Sequence, residues 1–94
     1  MNMLEFASQM QARTKRFAVH VIKFYVKLPK TEEGKVLGRQ LLRSGTSVAA
    51  NYRGARRAKS GADFIHKLGT VVGETDESQF WLELLNEAGR IMRW

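Results

Sequence analysis

Apolar residues recur along this chain with helical spacing, and breaks in the pattern divide it into three segments. The first segment, residues 14–28, places Phe17, Val21 and Phe24 on one stripe, which is typical of an amphipathic helix. Its apolar surface is wider than one partner helix covers, so we expect contact with two neighbours. Pro29 removes a backbone donor and disfavours helical geometry at the preceding residue, so the helix is predicted to end there.

The second predicted helix covers about residues 32–58 and starts after Thr31, whose hydroxyl can cap the first turn. Gly38, Gly45 and Ala49 share one side of this helix. A glycine inside a helix costs about 0.5–1 kcal/mol relative to alanine, so two of them on one side indicate close approach of another helix.

The third predicted helix covers about residues 61–88. Ser60 followed by Asp63 resembles a capping box at its start, and Gly89 is the expected C-terminal stop. Residues 91–94 are expected to begin a fourth helix. The pattern contains no convincing strand and no internal repeat.

The predicted fold is therefore all-α, a single domain over 1–94 built as an up-down bundle of three long helices plus the start of a fourth. The 44% hydrophobic content with a single Pro among 94 residues favours folding over disorder. The sequence contains no Cys, which excludes disulfides and thiolate sites and fits a cytoplasmic protein. No apolar run suits a membrane helix or a signal peptide, so no membrane partner is expected.

Positive charge is concentrated in the first part of the chain. Residues 1–60 carry 13 Lys and Arg against 3 Asp and Glu, whereas residues 61–94 carry 3 against 6, for a net charge of +7. Such asymmetry is typical of a protein that binds a polyanion. The alternative is that the positive part of one chain docks against the negative part of another.

Four arginines of the second predicted helix lie within roughly 40° of one line when residues are placed at about 100° intervals, and two further cations follow in the loop. The predicted nucleic-acid-binding residues are Arg39, Arg43, Arg53, Arg56, Arg57 and Lys59. Guanidinium groups suit phosphate oxygens, and no base-specific readout is indicated. The alternative is a solvated face, or ion pairs with Asp76, Glu83 and Glu87 on the third helix.

A second apolar patch on the third predicted helix points away from its core line. It consists of Phe80, Trp81 and Leu84, and Trp94 is expected to join it. Large aromatic residues outside the main stripe predict an interface with a further copy of the chain or with a protein partner.

No combination of residues indicates catalysis, a cofactor or a metal site. Ser and Thr residues lack a nearby His base, and the Gly residues of the second helix form no phosphate-binding loop. His66 and Asp63 lie one turn apart, which is weak support for metal binding. We expect a protein that is not an enzyme.

Several motifs together resemble a known family. They are Arg39-Gln40-Leu41 with Arg43-Ser44, the 47–51 block followed by Tyr52, Asp63-Phe64 with Lys67-Leu68, and Trp81-Leu82-Glu83-Leu84-Leu85. From Arg13 to Gly89 the chain resembles the four-helix-bundle proteins first found in intervening sequences of bacterial large-subunit ribosomal RNA genes. Members have been labelled ribosomal-protein-like, and the accessory variability determinant proteins of diversity-generating retroelements are similar in fold.

This resemblance implies a homo-oligomeric ring, commonly a pentamer, with a basic surface proposed to contact RNA or DNA and with no catalytic residues. The retroelement relatives are partners of a reverse transcriptase. Family members usually continue through a complete fourth helix, whereas this sequence ends at Trp94. Either the chain is a shortened form, or a neighbouring chain supplies the helix. The functional hypothesis is an oligomeric nucleic-acid-binding protein, and the alternative is a module that docks a protein partner.

Overall fold

The computed structural model describes residues 1–89, which form three α-helices and no strand. They are α1, Met3–Lys27, α2, Glu32–Ala55, and α3, Gly61–Glu87. This corrects the expected bundle of three helices plus the start of a fourth, since the described residues contain three helices and residues 91–94 lie outside them. The expected ring is likewise not shown by this single chain.

The predicted starts of α2 and α3 are confirmed by hydrogen bonds in their first turns. The hydroxyl of Thr31 accepts a first-turn backbone N–H of α2 at 3.1 Å. The hydroxyl of Ser60 accepts the N–H of Asp63 at 3.1 Å, and the carboxylate of Asp63 accepts the N–H of Lys59 at 3.0 Å. Beyond α3, Gly89 adopts a positive φ of 75°, the left-handed geometry that favours glycine at a helix C-terminus.

α1 begins eleven residues earlier than the apolar stripe predicted, at Met3 instead of residue 14. The side chain of Asn2 caps it by accepting the N–H of Glu5 at 2.8 Å. The spacing of apolar residues did not predict these first turns of α1, because their large apolar side chains are exposed, as Phe6 is at 52%. A local cap, rather than core burial, marks the start of this helix.

α2 is the central helix, with α1 and α3 packed against different sides of it. No Cα atom of α1 comes within 8 Å of a Cα atom of α3. Within the described residues, the backbone of α1 therefore approaches α2 closely, whereas α1 and α3 are related through the core that their side chains share. The core combines one buried side chain from each helix, Val21, Leu41 and Leu85, with Leu28, which directly follows α1. An apolar groove remains between α1 and α3, lined by Phe17, Phe24 and Leu82 among others.

The predicted close approach at Gly38 and Gly45 is confirmed, and the approaching helix is α1. A Cβ added to Gly45 would lie 2.8 Å from Cγ2 of Val21, and one added to Gly38 would lie 2.9 Å from Cδ1 of Leu28. The two glycines therefore set how closely α1 and α2 pack.

A buried pair of serines joins α2 to α3. The hydroxyl of Ser78 donates to the hydroxyl oxygen of Ser44 at 2.9 Å, and Ser44 donates in turn to the carbonyl of Leu41 at 3.3 Å. Both serines are at most 1% exposed. Because buried hydroxyls need partners, this contact favours one register between the two helices.

Candidate nucleic-acid interface

The candidate interface begins on the side of α2 that neither neighbouring helix covers. Residues of α2 that face α1 and α3, such as Leu41, Val48 and Tyr52, are buried. The arginines in the opposite register are all exposed. α2 ends at Ala55, three residues before its predicted end, so Arg57 lies in the turn and not on the helix.

Arg43 differs from the other arginines because its charge is already paired. Its Nη1 lies 3.0 Å from Oε2 of Glu74, and its Nη2 also pairs with Glu77. The hydrogen bond to Glu77 is the main reason that the pKa of Arg43 is raised further above its ordinary value. These partners are not the three acidic residues predicted from the sequence, and they compensate the charge of Arg43 locally.

The remaining predicted cations keep their charge uncompensated within residues 1–89. Arg56 donates from Nη1 to Oε1 of Gln11 at 2.8 Å, and this acceptor is neutral. Four of these predicted cations have side chains that make no hydrogen bond or ion pair with the described part of the chain: Arg39, Arg53, Arg57 and Lys59.

Packing adds a cation that the sequence reasoning missed. A shallow depression of about 300 Å³ lies on the seam of α1 and α2, with Lys15 on one wall and Arg53 on the other. Small side chains, including Ala49 and Ala50, line it as well. No sequence signal links Lys15 to Arg53, because the two residues lie 38 positions apart and only the antiparallel packing of α1 on α2 brings them together. We call Lys15, Arg39, Arg53, Arg56, Arg57 and Lys59 together the basic surface.

The predicted aromatic patch on α3 divides between the core and the surface. Trp81 packs against the core cluster, and its ring meets that of Phe80 edge-on with centroids 5.0 Å apart. Phe80 is 48% exposed, whereas Leu84 is half-buried. Trp94 lies outside the described residues. Among the described members of this patch, Phe80 is thus the most available to a partner.

Among residues 1–89, no group of three or more His, Cys, Asp or Glu side chains is arranged to hold a metal ion. None of the three helices is both long and apolar enough to cross a membrane.

The chain matches the model of a known protein family and is similar to a solved structure. The model of a family described as 23S rRNA-intervening sequence protein matches residues 7–93. A crystal structure of a protein with unknown function, from the S23 ribosomal protein family of Bacteroides thetaiotaomicron VPI-5482, is similar with a TM-score of 0.83 and 39% identity. The alignment covers 93% of this chain and 78% of that one. No functionally curated protein matches the chain, and neither match supports the predicted likeness to retroelement accessory proteins.

Proposed function

Since the chain belongs to the 23S rRNA-intervening sequence protein family, we propose that it is a non-enzymatic protein that binds the phosphate backbone of RNA or DNA. The observation that carries this proposal is the basic surface. Arg53 and Arg57 at one end of α2, with Lys15 opposite, lack any acidic partner within residues 1–89.

Uncompensated cations on one surface are what backbone binding requires. Each Lys or Arg that contacts a phosphate displaces condensed counterions, so affinity depends on the number of free cations and falls with salt. Arg43 is left out of the proposed site because Glu74 and Glu77 already take its charge. Binding of this kind fixes position on the nucleic acid without reading its sequence.

The family is described by its link to 23S rRNA, which favours RNA over DNA as the ligand to test first. A finer form of the proposal is a cytoplasmic accessory role beside a ribosomal RNA element or a reverse transcriptase, which follows from the resemblance and not from the geometry. A direct comparison of RNA with DNA of the same sequence separates the two kinds of ligand.

The test is fluorescence anisotropy of labelled RNA and DNA over a salt series, with the wild-type chain and the triple variant Arg39→Gln, Arg53→Gln, Arg57→Gln. We expect the variant to bind more weakly, and the slope of log affinity against log salt for a single strand to flatten by about two. Unchanged affinity in the variant would remove the basic surface from the proposal.

A matched control carries the same loss of three charges elsewhere. The variant Lys23→Gln, Lys27→Gln, Lys30→Gln removes exposed lysines from the C-terminal end of α1 and from the loop that follows it, outside the basic surface. It should keep most of the affinity if the location of the charge matters. Equal losses in both variants would mean that net charge alone attracts the nucleic acid.

A second candidate function, docking of a protein partner, is favoured by the exposure of Phe80. An aromatic side chain that is 48% exposed beside Trp81, which packs against the core, is the kind of anchor that interfaces use. We propose self-association as the first form of this interaction to test, without a commitment to the number of subunits.

A further inference from the structure

A cavity of about 480 Å³ lies at the end of the bundle where the first turns of α1 and α3 meet the C-terminal part of α2. Its volume is within the range of roughly 300–1,000 Å³ that small-molecule sites occupy. Leu4, Ala55 and Leu68 contribute to a lining that is mainly apolar. The cavity is therefore a place where a flat apolar group can leave water.

Aromatic rings from three helices line this cavity. Phe6 comes from α1, Tyr52 from α2 and Phe64 from α3. Phe6 and Phe64 are 52% and 38% exposed, so their rings are accessible from solvent. Tyr52 is 7% exposed, and its hydroxyl donates to the carbonyl of Ala7 at 3.4 Å, which holds it at the inner wall.

The same cavity touches the basic surface. Arg56 belongs to its lining, where Oε1 of Gln11 accepts a hydrogen bond from the guanidinium. Arg57 and Lys59 follow in the short turn that leads to Ser60, another lining residue. An occupant that combines a flat apolar group with a nearby negative charge suits this arrangement of rings and cations.

We propose that the cavity takes up an unpaired nucleobase whose flanking phosphates lie against Arg56, Arg57 and Lys59, so that the preferred ligand is single-stranded nucleic acid. The inference rests on the proposed function and makes it more specific. Single-strand-binding proteins combine a positive surface with aromatic side chains on which bases stack. In a duplex the base faces are covered by their neighbours, so a duplex can use the basic surface but not the cavity.

The test compares a labelled unstructured RNA of about 10 nucleotides with the same strand annealed to its complement, by anisotropy at one low salt concentration. The variant is the double substitution Phe6→Leu, Phe64→Leu, which keeps apolar side chains at the cavity and removes both exposed rings. We expect its affinity for the single strand to fall by between about fivefold and 150-fold. Its affinity for the duplex should stay as in the wild type, because no charge has changed.

Ile65→Ala is the matched control, since Ile65 is 66% exposed on the same turn of α3 and does not line the cavity. It should bind both RNAs as the wild type does. A single-strand affinity in the leucine variant within about twofold of wild type would overturn the inference, because stacking on even one ring is worth more than that. Equal losses for single strand and duplex would overturn it as well.

The failure of this inference differs from the failure of the proposed function. If the wild type binds duplex and single strand equally through the basic surface, the function stands and the inference is overturned. If the wild type binds neither RNA even at low salt, both are overturned. Micromolar binding of dodecanoate, with unchanged single-strand affinity in the leucine variant, would assign the cavity to an amphiphilic anion and also overturn the inference.

Discussion

At the scale of single residues, the packing of α1 on α2 depends on positions where a side chain is missing. Gly45 faces Val21 so closely that an added Cβ would lie 2.8 Å and 3.0 Å from its two methyl groups. Val21 is itself 4% exposed and β-branched, so it has little freedom to turn away. The sequence predicted the close approach from the position of the glycines, but not which residue would make it.

We expect Gly45→Ala to lower the free energy of unfolding by about 1–3 kcal/mol, because the new methyl group must push α1 away from α2. The matched control is Gly73→Ala in α3, where an added Cβ has no neighbouring heavy atom within 4 Å. That substitution should raise stability by about 0.5–1 kcal/mol, since alanine loses less backbone entropy in a helix. Urea denaturation of both variants measures their free energies of unfolding. A Gly45→Ala protein as stable as the wild type would contradict the close packing of α1 on α2 at this position.

At the scale of elements, α3 starts through a reciprocal cap. The carboxylate of Asp63 accepts the backbone N–H of Lys59 and lies 3.1 Å from Nζ of Lys67. The hydrogen bond from the Lys59 N–H, followed by that from Lys67, lowers the pKa of Asp63 below its ordinary value. The folded protein therefore holds this proton less tightly than the unfolded chain does, and the ionised carboxylate stabilises the folded state above the unfolded-state pKa.

The cap predicts a pH-dependent loss of stability in Asp63→Asn. The variant should be less stable than the wild type near pH 7, and the difference should shrink as the pH falls below the unfolded-state pKa and through the lowered folded-state pKa. Thermal unfolding followed by circular dichroism across this range measures the difference. Asp76→Asn is the control, because it removes an exposed carboxylate that has no hydrogen bond with residues 1–89. A constant difference between Asp63→Asn and the wild type at all pH values would contradict the role of the charge.

At the scale of the whole molecule, three helices leave apolar surface uncovered. The groove between α1 and α3 is lined by apolar side chains, and Ile22, Val26, Val72 and Phe80 are among the large side chains that stay exposed. A small domain with such surface gains stability when it associates. The charge asymmetry along the chain favours contact between unlike parts of two copies.

We predict that the protein self-associates through Phe80. Light scattering after size-exclusion chromatography should give a mass above the 10.7 kDa of one chain. This measured mass should fall when the protein is diluted, and at equal concentration it should be lower for Phe80→Ser than for the wild type. Val72→Ser, at a side chain that is 68% exposed on the same helix but outside the predicted patch, should behave as the wild type. A single-chain mass at every concentration, or equal effects of both substitutions, would contradict the prediction.

The starts of α2 and α3 could be read from the sequence because their capping signals are local. Thr31 and Ser60 act within three residues of themselves, and the match over residues 7–93 confirmed the family that the motifs indicated. The predicted fourth-helix start was an extension of the same local pattern to residues 91–94, outside the described residues. The early start of α1 was missed because its first turns bury little apolar surface.

Which cations remain unpaired, by contrast, depends on contacts between different helices. Arg43 and Arg53 belong to the same predicted line of arginines, at about 80° from each other around the helix, yet α3 brings Glu74 and Glu77 to the first and no acidic residue of 1–89 to the second. Likewise, the antiparallel packing of α1 places Lys15 beside Arg53. Local sequence sets where α2 and α3 begin, because the hydrogen bonds that cap a helix join residues within one turn of each other. Only the packing of three helices decides which charges are compensated and which rings enclose a cavity, because those contacts join residues far apart in the chain.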